Sequence, residues 1–134
     1  MPNANLEANK RLVQRLFDEV IAKRRFDLAH ELLRPDYIQH NPSAGQGIDG
    51  FVAYFRKLER TQRRLRATST TQILSLLAEG DRVFAHTETR IDGPARLHFV
   101  AMDLFRIEDG QLAEHWDAIQ GRGLLSALAL LLAG

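Results

Sequence analysis

Residues 101–117 read Ala-Met-Asp-Leu-Phe-Arg-Ile-Glu-Asp-Gly-Gln-Leu-Ala-Glu-His-Trp-Asp. Two runs rich in apolar residues flank Asp109-Gly110, which predicts a β-hairpin. The hairpin carries two carboxylates and an imidazole, Asp103, Asp117 and His115, where one lying over a core would carry only apolar filler. Whether these groups meet depends on the turn. If Asp109-Gly110 is a two-residue type I′ turn, Asp103 sits opposite Trp116 and Asp117 falls on the other face. If Glu108-Asp109-Gly110 is a three-residue loop with Gly110 in the left-handed position, Asp103 faces His115 and Ala101 faces Asp117, all on one side. A slip of one residue moves every side chain to the other face. The three-residue loop is the expectation, because it also lines up Phe99 with Ile119 and Phe105 with Ala113.

Upstream of the hairpin the hydrophobic period is that of helices, then of strands. Residues 5–24 form an amphipathic helix, with Val13, Leu16, Phe17, Val20 and Ile21 at helical spacing and Asn5 as N-cap. A second helix, 26–33, stops before Pro35. A short extended segment, 37–41, closes at Asn41-Pro42, and a third helix occupies 48–60. The period then changes to two, with strands over 68–78, 82–91, 97–107 and 111–120. Helices first and consecutive antiparallel strands afterwards predict one α+β domain, helices packed on one face of a curved sheet. Residues 124–134 form an apolar tail, read as a helix or lid.

Composition narrows the function. The chain has 134 residues, enough for one substantial core, and a net charge of +1 that does not call for nucleic acid. It contains no cysteine, so disulfides and thiolate metal sites are excluded. The N-terminus lacks the pattern of a signal peptide, and the apolar tail is about half the roughly 20 residues that span a bilayer. A cytoplasmic protein with no membrane partner is expected. Arg56, Lys57, Arg60, Arg63, Arg64 and Arg66 form a basic run, as do Lys23, Arg24 and Arg25. With no aromatic residues interleaved over 60–66, the first run reads as a solvated helix end, the alternative being a site for an anionic substrate tail.

The informative polar residues are those on faces that should be apolar. Asp103 shares its face with Leu97, Phe99, Ala101, Phe105 and Ile107, an expensive position for a carboxylate unless it is paired, protonated or used. Asp117 lies between His115 and Ile119 on the same face, in surroundings suited to general acid–base work near neutral pH. His115 then orients one acid or shuttles a proton. In the 82–91 strand, His86 and Glu88 share a face with Phe84 and Arg90, and both are pocket candidates. His40 and Asn41 are adjacent in an extended segment, so only one of them points inward. Phe17, Phe55, Phe99, Phe105 and Ile119 complete the expected substrate-binding set. Trp116 falls on the opposite face from Asp117 and is read as a packing residue between subunits. No His-x-x-x-His or His-x-x-Glu-His spacing occurs, and no metal or cofactor is expected.

These motifs together resemble the SnoaL-like branch of the nuclear-transport-factor-2-like (NTF2-like) superfamily, which includes polyketide cyclases. The resemblance rests on Tyr37-Ile-Gln-His-Asn-Pro42 before a Gly-rich loop, on Glu79-Gly-Asp-Arg-Val83 with His86, and on Asp103 through Gly110 running into Glu114-His-Trp-Asp117. It implies a cone: a curved, mostly antiparallel sheet wrapped over three N-terminal helices, with a deep pocket inside and commonly a homodimer packed sheet to sheet. It makes Asp117 similar to the acid–base aspartate of the cyclases and similar in place to a catalytic aspartate of limonene-epoxide hydrolases. Asp103 falls where ketosteroid isomerases keep a protonated aspartate, and Asn41 where they keep their general base. Asn41 cannot be a base, and Leu16 stands where those isomerases have an oxyanion tyrosine, so steroid isomerisation is not expected. The hydrolases' arginine has no counterpart here.

The resulting expectation is cofactor-independent acid–base chemistry, of the aldol cyclisation or isomerisation type, on an apolar carbonyl compound. Asp117 would move the proton, with His115, Asp103 and His86 holding it or bonding an enolate oxygen. The alternatives are a non-catalytic protein binding an apolar ligand, and epoxide hydration with a water held between Asp117 and either Asn41 or Glu88.

Overall fold

The computed structural model describes residues 2–133, with side chains placed for residues 5–132. Helix α1, Pro2–Arg15, continues directly as a π-helical stretch, Leu16–Ala22. Its buried stripe is Val13, Leu16 and Val20, and it begins at Pro2, so Asn5 lies inside the helix and is not its N-cap. A single turn, Phe26–Leu28, leads into α2, Ala29–Leu32, and the chain then straightens as β1, Leu33–Gln39. The strand starts before Pro35, earlier than its sequence suggests. Proline is tolerated because β1 lies at the sheet edge and because its pairing is irregular between Leu33 and Ile38. Helix α3, Gly47–Leu65, runs one turn beyond the expected end, and its last carbonyls are bonded by the N–H of Arg66 in the left-handed conformation (φ 53°).

Four long strands follow: β2, Thr68–Glu79; β3, Arg82–Asp92; β4, Leu97–Glu108; and β5, Gln111–Gly121. They make a curved, open five-stranded sheet in the order β1-β5-β4-β3-β2, antiparallel except for the β1–β5 pair. The helices cover one face. Val13, Leu16, Val20 and Leu32 meet Val83, Ala85, Phe105 and Leu112 there, each nearly sealed from water. Each of the larger side chains among them contributes about 1.5–3 kcal/mol relative to exposure.

The β4–β5 connection corrects the expected turn. Glu108 pairs with Gln111, and Asp109 and Gly110 both have positive φ (51° and 74°), which makes a two-residue type I′ turn. The ladder then shifts, Ile107 pairing with Leu112 and Arg106 with Glu114, so Ala113 is an extra residue in a β-bulge. Leu112 and Ala113 are accordingly both buried. The bulge restores the parity that the short turn removes. Asp103 therefore pairs with Asp117 and Phe105 with His115, and Phe99 lies opposite Gly121. The three groups do share the inner face, through pairings two residues away from those expected.

Helix α4, Leu124–Ala133, turns back onto the ends of β4 and β5. Ser126 Oγ accepts the His98 N–H at 2.8 Å. Gly121 allows the approach, since a Cβ there would lie 2.5 Å from the Ala127 nitrogen. No helix among the described residues is long and apolar enough to cross a membrane.

Candidate active site

Between the helices and the inner face of the sheet lies a cavity of about 490 Å³. Its wall is mostly apolar: Phe17, Phe55, Phe99, Phe105 and Ile119 all line it, as expected. Asp103, His115 and Asp117 lie on its sheet side, with Asn41 and Gln39 contributed by β1 and the residues just after it.

Two hydrogen-bonded chains organise these groups, and each has a determined direction. Asn41 Oδ1 accepts the Ser43 N–H at 2.8 Å, so its amide nitrogen is left to donate to Asp117 Oδ2 at 2.9 Å. Gln39 Oε1 accepts the Asn41 N–H at 3.0 Å, and its amide nitrogen donates to Tyr37 Oη at 3.1 Å. His115 Nδ1 lies 2.8 Å from that same Gln39 oxygen and must therefore be the donor. On its other side Nε2 lies 2.8 Å from Asp103 Oδ1. One proton sits between them, either as imidazolium and carboxylate or as imidazole and carboxylic acid. The imidazole is held further by its stack on Phe105, ring centroids 4.7 Å apart.

Asp117 is different. Asn41 is its hydrogen-bond donor, it is only partly buried, and among the described residues no cation lies within 4.0 Å of it. Its charge reaches Tyr37 and Tyr54, both on the cavity wall. Burial first, then Asp117 and Asp103, push the Tyr37 phenol far above its usual range, and burial followed by Asp117 does the same in direction for Tyr54. Both remain neutral hydroxyls near physiological pH. Asp103, His115 and Asp117 offer one ligand atom each within 4.8 Å of one another, yet an ion would have to displace the proton shared by Asp103 and His115.

Three of the expected site residues are elsewhere. His86 and Glu88 face away from the cavity, because the inner face of β3 is Val83, Ala85, Thr87 and Thr89. Glu88 instead pairs with Arg90 at 2.6 Å and with His98. Phe84, the largest side chain of β3, lies on the outer face, because small residues are what close packing beneath the helices admits. His40 also points outward, stacked on Trp116 (4.8 Å between centroids) and 2.6 Å from Glu114. His40 and then Arg106 hold the Glu114 carboxyl below its usual range. Trp116 is on the outer face as expected, with the Arg82 guanidinium 4.9 Å from its ring centroid. Tyr37, Gln39 and Tyr54 were missed. The alternation Tyr37-x-Gln39-x-Asn41 contains the signal for the first two.

The SnoaL-like domain model matches residues 13–115. The chain belongs to the SnoaL-like domain family. Among solved structures it is similar to TsrD from Streptomyces laurentii, at 23% identity and a TM-score of 0.73, over 94% of this chain and 95% of that one. It is also similar to an LEH-like epoxide hydrolase from M. tuberculosis, at 19% identity and a TM-score of 0.70, covering 95% and 96% of the two chains. A protein of Jannaschia sp. CCS1 described as a SnoaL-like polyketide cyclase aligns at 22% identity and a TM-score of 0.69, over 96% and 92%. At these identities the likeness establishes a shared NTF2-like fold. No curated protein matches the chain.

Proposed function

We propose that the protein is a cofactor-independent acid–base enzyme that moves protons on an apolar carbonyl compound held in the cavity. One observation carries this reading: Asp117 faces an apolar cavity, steadied by a neutral amide and, among the described residues, with no cation within 4.0 Å, beside a pair that already holds a proton. A carboxylate so placed takes a proton from the carbon next to a carbonyl. The hydroxyls of Tyr37 and Tyr54 are donors on the same wall and suit a developing enolate oxygen. In an aldol cyclisation the enolate carbon then forms a bond to a second carbonyl carbon. The resulting alkoxide takes the proton of the Asp103–His115 pair, and that pair is reprotonated through solvent by the proton Asp117 gives up. No net proton is gained or lost. The cavity's volume suits a ligand of drug-like size. The likeness to proteins described as polyketide cyclases supports the same class.

A simple ketone tests the proton-transfer step. β-Tetralone in deuterated buffer should exchange its α-protons faster with the protein present, and Asp117→Asn should slow that exchange by about 10²–10⁴-fold. Full activity in the variant would remove Asp117 from the role. Saturable binding of the ketone without any acceleration would instead favour a ligand-binding protein.

Epoxide hydration is the second reading, favoured by the Asn41 amide 2.9 Å from Asp117, a place where both groups can hold a water. Glu88 no longer serves there, since it faces outward. Conversion of limonene oxide to its diol, lost in Asp117→Asn, would decide for hydration.

A further inference from the structure

Helix α4 is apolar on every side, with Ser126 its one polar residue. A helix of that composition is ordinarily buried. Here Ser126, Ala129 and Leu130 face the protein, the last two lining the cavity. Leu124, Leu125, Leu128, Leu131 and Leu132 are left 47–86% exposed. Two cavity-lining side chains, Leu65 and Ile119, are also 52% and 41% exposed, so the apolar surface continues from α4 to the cavity rim. An exposed apolar surface of this kind marks an interaction site.

The surroundings of α4 carry an excess of positive charge. Gly93 in the β3–β4 connection packs on Ala67, just after α3, and the Arg122 N–H donates to the His98 carbonyl. The ends of α3, β3 and β5 and the start of α4 are thus at one end of the molecule. Arg60, Arg64, Arg66 and Arg122 are exposed there, and among the described residues none has a carboxylate within 4.0 Å. Arg63 and Arg96 belong to the same end and pair with Glu59 and Asp92.

The geometry points to an anionic lipid surface as the partner of this end, with α4 lying in the membrane interface and the cavity mouth facing the bilayer. Ten residues rise about 15 Å, half the roughly 30 Å hydrocarbon thickness, so α4 lies on the membrane and does not cross it. Exposed leucines enter the interface while arginines meet lipid phosphates. This rests on the reading of the cavity as a site for an apolar compound: such a molecule concentrates in the bilayer and would pass along a continuous apolar path. The expectation of no membrane partner rests on a tail too short to span a bilayer, and binding within the interface needs no span.

Vesicle co-sedimentation of the full chain tests the proposal. The protein should pellet with equimolar phosphatidylcholine–phosphatidylglycerol vesicles and be released by salt. Phosphatidylcholine alone should bind it weakly. Leu131→Glu/Leu132→Glu should weaken binding about tenfold or more, and Arg60→Gln/Arg64→Gln/Arg66→Gln by roughly a hundredfold on the anionic vesicles. No binding to either vesicle overturns the proposal, as does binding that neither variant changes. Concentration-dependent self-association that the leucine variant abolishes, without vesicle binding, would assign the helix to a second copy of the chain. Saturable uptake of 1-aminoanthracene without vesicles reports the cavity independently. If the unsubstituted chain takes up the probe but binds neither vesicle, the membrane proposal fails and the cavity reading stands; if uptake is absent, the cavity reading itself fails.

Discussion

A single proton in a buried pair sets the energetics of the site. Asp103 and His115 satisfy each other, and truncating one strands the other in an apolar wall. Asp103→Ala should therefore destabilise the protein by about 3–5 kcal/mol. Asp103→Leu/His115→Phe, which removes both polar groups, should lie much nearer the wild type, as denaturant titration of the two variants would reveal. If the single and double variants cost the same, the pair is not the coupled unit described. A second prediction concerns alkaline pH. Tyr37 and Tyr54 are raised above their ordinary value of 10.0 by burial and by Asp117. Below pH 10 the phenols are neutral in folded and unfolded chains alike, and their contribution is fully present. Above it the unfolded chain ionises first, so stability falls until pH passes the folded values. Tyr37→Phe should flatten part of that decline in unfolding free energies measured from pH 8 to 12. An unchanged slope would mean that Tyr37 is not protected from solvent as described.

The β4–β5 hairpin makes the argument at the level of the element. Its inner face was legible from the alternation of Asp103 with Phe99, Ala101, Phe105 and Ile107. Its register was not, because two local events cancel: a turn one residue shorter than expected and an extra residue at Ala113. No hydrophobic pattern signals the bulge, since Leu112 and Ala113 read as a single apolar step. The same limitation put His86 and Glu88 in the pocket, for Phe84 is larger than Ala85 and yet lies on the outer face. The helices and strands themselves were legible from period, down to the apolar tail. The bulge predicts an asymmetry. Deleting Ala113 should leave a regular type I′ hairpin in which Asp103 still faces Asp117, at a cost of about 1–3 kcal/mol. Deleting Leu104, opposite no spare residue, should force an odd slip that turns Asp103, with Ala101 and Phe99, out of the cavity and breaks the pair with His115. Thermal unfolding together with the β-tetralone exchange rate would separate the two. Retained exchange in the Leu104 deletion would contradict the register.

At the scale of the whole molecule, the helices close one side of a cone whose floor is polar, whose wall is apolar and whose rim is half exposed. The core supports this shape: Leu16, which lines the cavity, and Leu32, Leu33 and Leu112 are almost fully buried. A small protein that keeps about 490 Å³ open within its fold carries a mechanical signature as well. Unfolding eliminates whatever part of that space water does not fill, so the unfolded chain occupies less volume, and pressure favours it. Hydrostatic pressure should therefore unfold the protein readily, followed through the fluorescence of its one tryptophan, Trp116. A molecule that fills the cavity should raise the midpoint pressure beyond what its heat stabilisation alone would suggest. A pressure series could thus rank candidate ligands by how completely they occupy the hollow, before any reaction has been found for them.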